Sequence, residues 1–226
     1  YTAATENRVK VKLVSPSDKN DYYQYNLTPG EWTTFPLSDG NGEYKVSVLE
    51  QNPATGKYAV LASVPLDVKL EDEFAPFIRP NQYVDYIDQT NTIAKAEELI
   101  GSETDTLKQV EKVYKYVVEN LTYDKQKAQT VPSGYLPVLD TVLSEKKGIC
   151  FDYAALMVGM LRSQGVPCKR VVGYAGTTYH AWVNVWSEGT GWVTAAIYFD
   201  GTTWQRMDPT FASSSNSSDA ILKYIG

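Results

Sequence analysis

Chemically competent side chains are few in this sequence: two cysteines, Cys150 and Cys168, and a single histidine, His180. Two cysteines are too few for a disulfide framework, and one histidine excludes a His-rich metal cluster, so neither a metal nor another cofactor is expected. Any imidazole that acts as a general base must therefore be His180. Cys150 stands in the stretch GICFDYAALM, between Gly148 and an apolar run. From Cys150 to about Ser163 the chain is apolar nearly all round and free of proline, and it stops at Gly165 before Pro167, which predicts a buried helix. In the first turn of that helix, unpaired backbone N–H groups and the positive end of the macrodipole favour a thiolate, and the Cys150 N–H can serve an oxyanion. A small packed thiol is the competing reading of any cysteine in such a run. Asp152 complements the helix N-terminus and is given no catalytic role.

Two later stretches bear on that choice. CKRVVGYAGTTYHAWVNVW reads as two strands joined by a Gly/Thr turn, with His180, Trp182, Asn184 and Trp186 on one face of the second. GWVTAAIYFDGTTWQRMDPT reads as a hairpin with Asp200-Gly201 at its tip, whose second strand delivers Asp208 just before Pro209. A cysteine on a helix, followed by a histidine and an aspartate on strands, provides a nucleophile, a base and a carboxylate to orient the base. Taken singly, His180 beside tryptophan and Asp208 before proline also have structural readings, in a core and in a turn.

The elements that must hold these residues change period near residue 72. Upstream, Val9-Val11-Leu13, Tyr44-Val46-Val48, Tyr58 to Val64 and Leu66-Val68-Leu70 alternate with polar residues, and the runs are separated by SPSDKND, TPGE, SDGNGE and NPATGK. This spacing predicts a small antiparallel β-sandwich over residues 1–72, of immunoglobulin or fibronectin type. Asp39, Asn41 and Glu43 alternate as calcium ligands could, but SDGNGE lacks the other ligands of an EF-hand, and a hairpin turn explains it. After the proline-bearing linker EDEFAPFIRPNQYV, residues 73–226 turn helical. Ile93, Ala94, Ala96, Leu99 and Ile100 precede Gly101. Then SETDTLKQVEKVYKYVVENL places Leu107, Val110, Tyr114, Val117 and Leu121 on one face and Lys108, Glu111, Lys112 and Lys115 on the other. Near the end, ASSSNSSDA reads as a surface loop or a fraying tail.

In order, GICFDYA, YHAWVNVW and MDPTF resemble the three motif blocks of the transglutaminase-like superfamily, and ENLTYD and GYLP resemble the approach to the cysteine block in bacterial members. The resemblance covers roughly residues 80–212. It implies an α+β fold with a papain-like core, Cys150 as nucleophile, His180 as general base and Asp208 as the residue orienting the histidine. For the second oxyanion donor, which varies within the superfamily, Tyr123, Tyr135 and Trp182 are candidates. The segment between His180 and Asp208 is longer than the family pattern, which implies an unusual cleft rim. The small β-domain in front is similar to that of secreted bacterial members and implies an extracellular or cell-surface location, with the signal segment absent from this chain.

The formal charge of −6 is spread along the chain without a basic stripe, and no stretch approaches the length of an apolar span, so nucleic acid and membrane insertion are not expected. The expected partner is a peptide, protein or cell-wall peptide substrate met by a monomer. Three functions remain open. The first is hydrolysis of peptide or amide bonds through a Cys150 thioester, which is preferred because water needs no second docking site. Cross-linking to a lysine amine and noncatalytic binding on the same fold are the others.

Overall fold

The computed structural model of the chain describes residues 1–2, 5–175, 178–195, 197–199, 204–206 and 223–224. Asp208, the Asp200-Gly201 tip and the ASSSNSSDA segment lie outside these residues. The chain divides into two compact units, Tyr1–Pro76 and Phe77–Gly226.

In the first unit, strands β1 (Val9–Val14), β2 (Tyr22–Leu27), β3 (Gly42–Gln51) and β4 (Tyr58–Val68) form one sheet in the order β2-β1-β3-β4. All three pairings are antiparallel. The register sets Val11 opposite both Tyr25 and Val48, and Leu13 opposite both Tyr23 and Val46, so the alternating apolar residues share a face. Val9, Val11, Leu13, Tyr23, Tyr25 and Tyr44 are buried there, whereas Val60, Val64 and Leu66 of β4 are exposed. The described residues thus make a single sheet where the spacing predicts two facing ones. The runs 58–64 and 66–70 account for part of this difference, because most of their length joins into the one long strand β4, whose register with β3 shifts between Val48 and Leu49. Between β2 and β3 the chain adds no strand, and Phe35 from that loop packs on Tyr25 with ring centroids 5.0 Å apart. Alternation reports that a face is apolar and does not specify what covers it.

SDGNGE is used by the turn. Tyr23 donates to Asp39 Oδ1 at 2.9 Å, and Asn41 Oδ1 accepts from the Leu70 N–H at 2.7 Å. Gly42 has φ 136°, and a Cβ there would lie 2.8 Å from the Cβ of Pro16, so only glycine fits.

Helix α1 (Ala75–Ile78) leads into the second unit, which continues with α2 (Thr90–Ile100), α3 (Thr106–Asn120), β5 (Thr122–Tyr123), α4 (Lys125–Thr130), α5 (Leu139–Glu145), β6 (Lys147–Gly148) and α6 (Cys150–Ser163). Strands β7 (Cys168–Ala175), β8 (Thr178–Ser187), β9 (Gly191–Ala195), β10 (Ile197–Phe199), β11 (Trp204–Arg206) and β12 (Lys223–Tyr224) follow. The larger sheet has the order β12-β7-β8-β9 with antiparallel neighbours, and β10 pairs with β11. Helices before a mainly antiparallel sheet make this an α+β fold.

Helix α6 is the centre of the core. Every residue from Asp152 to Arg162 is buried, in contact with α2, α3 and α5 and with the sheet. Its polar end is satisfied, since Arg162 donates to the Cys168 carbonyl at 3.0 and 2.8 Å and to the Arg79 carbonyl at 3.0 Å. Val110, Val113 and Val117 form the buried stripe of α3, and Leu121 is buried just beyond it. Leu107, expected on that face, is exposed, because the stripe turns toward Val113 in the second turn.

Candidate active site

Short elements fix the chain just before the predicted nucleophile. β5 and β6 pair in parallel, with Tyr123 opposite Gly148, and the Asp124 N–H donates to the Gly148 carbonyl at 2.8 Å. Ile149 caps α6 in extended conformation. Its N–H is taken by Asp152 Oδ2 at 2.8 Å, while its carbonyl accepts from the Asp152 and Tyr153 N–H groups at 2.9 and 3.1 Å. A Cβ on Gly148 would lie 2.6 Å from the Asp152 Cβ, so glycine is what lets the two segments close on each other. Cys150 is consequently held as the first residue of the helix and is only partly buried.

The Cys150 sulfur meets β8 through the backbone. The Ala181 and Phe151 N–H groups point at it, so β8 meets the sulfur at the residue next to His180. His180 pairs with Gly173 across the sheet, and Trp182 follows on the same face by strand alternation. Both side chains are buried. Burial pushes the Cys150 thiol above its ordinary pKa, the Ala181 and Phe151 N–H groups oppose the rise, and the charge of Asp152 adds to it. His180 is pushed the other way by burial, toward the neutral imidazole. A neutral thiol and a neutral histidine are the resting states these directions describe, in contrast to the thiolate that the helix terminus alone predicts.

The three tyrosine and tryptophan candidates separate. Tyr123, half-buried, pairs with Gly148 two residues before Cys150, and burial raises its pKa, with the charges of Cys150 and Asp152 raising it further. The Tyr135 hydroxyl is engaged elsewhere, donating to Asp152 Oδ1 at 2.7 Å and accepting from Lys127 Nζ at 2.6 Å. Trp182 is buried on the His180 face of β8. Lys127 itself, which no motif singles out, pairs with Asp152 Oδ2 at 2.7 Å. Arg170 of β7, fully buried, lies 4.0 Å over the Phe151 ring and 5.2 Å over that of Tyr83, and burial lowers its pKa to about 9. The second cysteine is a packed thiol. Cys168 is fully buried, donates weakly to the Val158 carbonyl at 3.7 Å and is pushed up to about 12 by burial. Among the described residues no group of three or more His, Cys, Asp or Glu is placed to hold a metal ion.

A partly open cysteine at a helix start, met by the strand that carries the only histidine, is set within residues 93–209, which match the family model of the transglutaminase-like superfamily. The chain belongs to that superfamily. A protein of Bacillus subtilis (strain 168), Uncharacterized protein YebA, is 26% identical over 234 residues, an alignment covering 86% of this chain and 31% of that protein. The chain therefore spans under a third of that relative. Among solved structures, a candidate cysteine protease from Cytophaga hutchinsonii is 16% identical with a TM-score of 0.48, covering 100% of this chain and 78% of the other. Red sea bream transglutaminase is 14% identical with a TM-score of 0.36, over 89% of this chain and 45% of the other. Among the described residues, no helix of this transglutaminase-like chain is long and apolar enough to cross a membrane.

Proposed function

We propose that this chain is a cysteine-dependent acyl-transfer enzyme that hydrolyses peptide or amide bonds, with Cys150 as nucleophile, His180 as general base and Asp208 orienting the imidazole. The observation that carries the reading is the approach of the Ala181 N–H, one residue from His180, to the Cys150 sulfur at the first turn of α6. His180 takes the thiol proton as the sulfur attacks the carbonyl carbon. The same proton then goes to the departing amine as the C–N bond breaks, leaving a thioester on Cys150. Water attacks the thioester, gives its proton to His180, and the acid leaves as the thiol is restored. Tyr123, paired with Gly148 two residues before the thiol, is the proposed hydroxyl donor to the developing oxyanion.

Peptides, proteins and cell-wall peptides are the proposed substrates, met outside the cell or at its surface by a monomer. Residues 1–72 form the proposed accessory domain, and residues 73–226 carry the chemistry. The experiment is a panel of such peptides assayed for released ammonia or cleaved peptide, in parallel with uptake of a fluorescent primary amine into a glutamine-bearing protein. Hydrolysis lost in both Cys150→Ala and His180→Ala is the expected result. Efficient amine uptake, lost in the same variants, would replace hydrolysis with cross-linking, because an amine outcompetes water at about 55 M only when the site orients it. Neither reaction from a protein with a reactive Cys150 would turn the reading toward a binding role.

A further inference from the structure

Asp152 is fully buried and two residues from the proposed nucleophile, and among the described residues its carboxyl group is bonded to donors. Tyr135 gives it a hydroxyl hydrogen at 2.7 Å on Oδ1, and the Ile149 N–H and the Lys127 ammonium reach Oδ2 at 2.8 and 2.7 Å. A carboxyl group surrounded only by donors acts as a carboxylate. The anion performs a structural task, since it pins the turn from Gly148 to Cys150. It also opposes formation of a second anion on the adjacent sulfur. We propose that Lys127 is a positioning residue for the nucleophile: its ammonium neutralises Asp152, so that the carboxylate can hold the cysteine turn without opposing the thiolate.

The geometry places Lys127 well for this role. α4 follows β5 directly, and Asp124 caps it by accepting from the Lys127 N–H at 2.9 Å, which holds Lys127 beside the turn. The Lys127 ammonium also lies 4.3 Å from the Tyr135 ring centroid, at the wall of an open cleft of about 340 Å³ lined in addition by Gln126, Thr130 and Pro132. The other charged or titratable groups facing the start of α6 are accounted for. Asp124 is paired with Lys147 at 3.1 Å, Arg170 lies over the Phe151 ring, Tyr123 and Tyr153 carry phenols, and His180 lies on β8. Lys127 forms the ion pair with the Asp152 carboxylate, and the buried Arg170 adds a coulombic interaction with it. Its own pKa is affected most by burial, which lowers it, but the bonds to Asp152 and Tyr135 outweigh burial and hold it above the ordinary value.

This inference rests on Cys150 being the nucleophile, and its test needs no turnover. Cys150 is labelled with iodoacetamide from about pH 6 to about pH 11 and followed by peptide mass mapping in the natural sequence, Lys127→Met, Lys127→Arg, Asp152→Asn and the double variant Lys127→Met/Asp152→Asn. Lys127→Met is expected to raise the labelling midpoint by about one pH unit, slowing reaction at neutral pH roughly tenfold. Lys127→Arg keeps the natural midpoint, and the double variant returns to it. A residue that only supports the fold would lower the plateau rate and leave the midpoint in place. An unchanged midpoint in folded Lys127→Met, or a double variant shifted as far as the single one, overturns the proposal. Where Lys127→Met fails to fold, the comparison passes to Asp152→Asn, which is expected to label at lower pH than the double variant, and equal midpoints overturn the proposal. Shifted midpoints without any hydrolysis would retract the hydrolase reading alone, and hydrolysis with unshifted midpoints would retract this inference alone.

Discussion

At the scale of single residues, burial and the helix terminus act on Cys150 in opposite directions, and the balance sets the pH behaviour. The sequence places a thiol at a helix start, and from that alone a stabilised thiolate is the natural expectation. Burial reverses the sign by raising the thiol and lowering the imidazole. As the proposed general base His180 must be neutral, and its folded pKa lies below the ordinary value of about 6.5. The acid limb of kcat/KM is therefore expected to have its midpoint below pH 6.5 or so, and a midpoint above that value would contradict a buried, neutral base. The same shift links to stability. The unfolded chain binds the proton first, so the contribution of His180 is whole above the ordinary pKa and is lost as pH falls through the depressed one. The two thiols should also separate: iodoacetamide labels Cys150 at neutral pH, while Cys168, pushed up to about 12 and fully buried, stays unlabelled until the protein unfolds. Equal rates in the folded protein would return Cys150 to the role of a packing thiol.

At the scale of elements, legibility follows the range of the interaction that makes each one. Cys150–Ser163 was readable as α6 because its apolar run, Gly165 and Pro167 lie within one stretch of chain, and β7 and β8 were readable for the same reason. α4 and α5 were not, since six and seven residues carry too little periodicity. The Lys127–Tyr135–Asp152 contact was invisible because it joins residues far apart in sequence through single side chains. A similar long-range device starts α2, whose N-cap Gln89 makes no side-chain capping bond. Asp140 of α5 replaces it, accepting from the Asn91 and Thr92 N–H groups at 3.2 and 2.8 Å and from their side chains at 3.1 and 2.7 Å. Burial alone would raise this carboxyl, but the bonds from Thr92 and Asn91 prevail and hold it below the ordinary range. Asp140→Ala is expected to cost about 1–2 kcal/mol, read from denaturant unfolding at neutral pH. The difference from the natural protein should shrink as pH falls below the ordinary carboxylate value through the depressed one. A difference that persists in acid would show that Asp140 acts through packing.

At the scale of the whole molecule, the second unit carries its own core: α6 is buried on all sides by elements between Phe77 and β12, and both thiols lie in or against that core. The first unit holds a separate apolar face centred on Val11, Leu13, Tyr23 and Tyr25. That separation makes a test possible in the intact chain. Tyr25 is 1% exposed, and truncating a buried aromatic to alanine typically costs about 3–5 kcal/mol, a large share of the stability of so small a sheet. Tyr25→Ala is therefore expected to melt the strands from β1 to β4 at a lower temperature than in the natural protein. Protection of Cys168 and the labelling rate of Cys150 should stay as they were. Limited proteolysis locates the opened strands, and thiol labelling over the same temperatures reports on α6 and β7. If Cys168 became reactive at the temperature where the strands open, the two units would be unfolding as one. The cysteine site would then depend on the first unit for its stability.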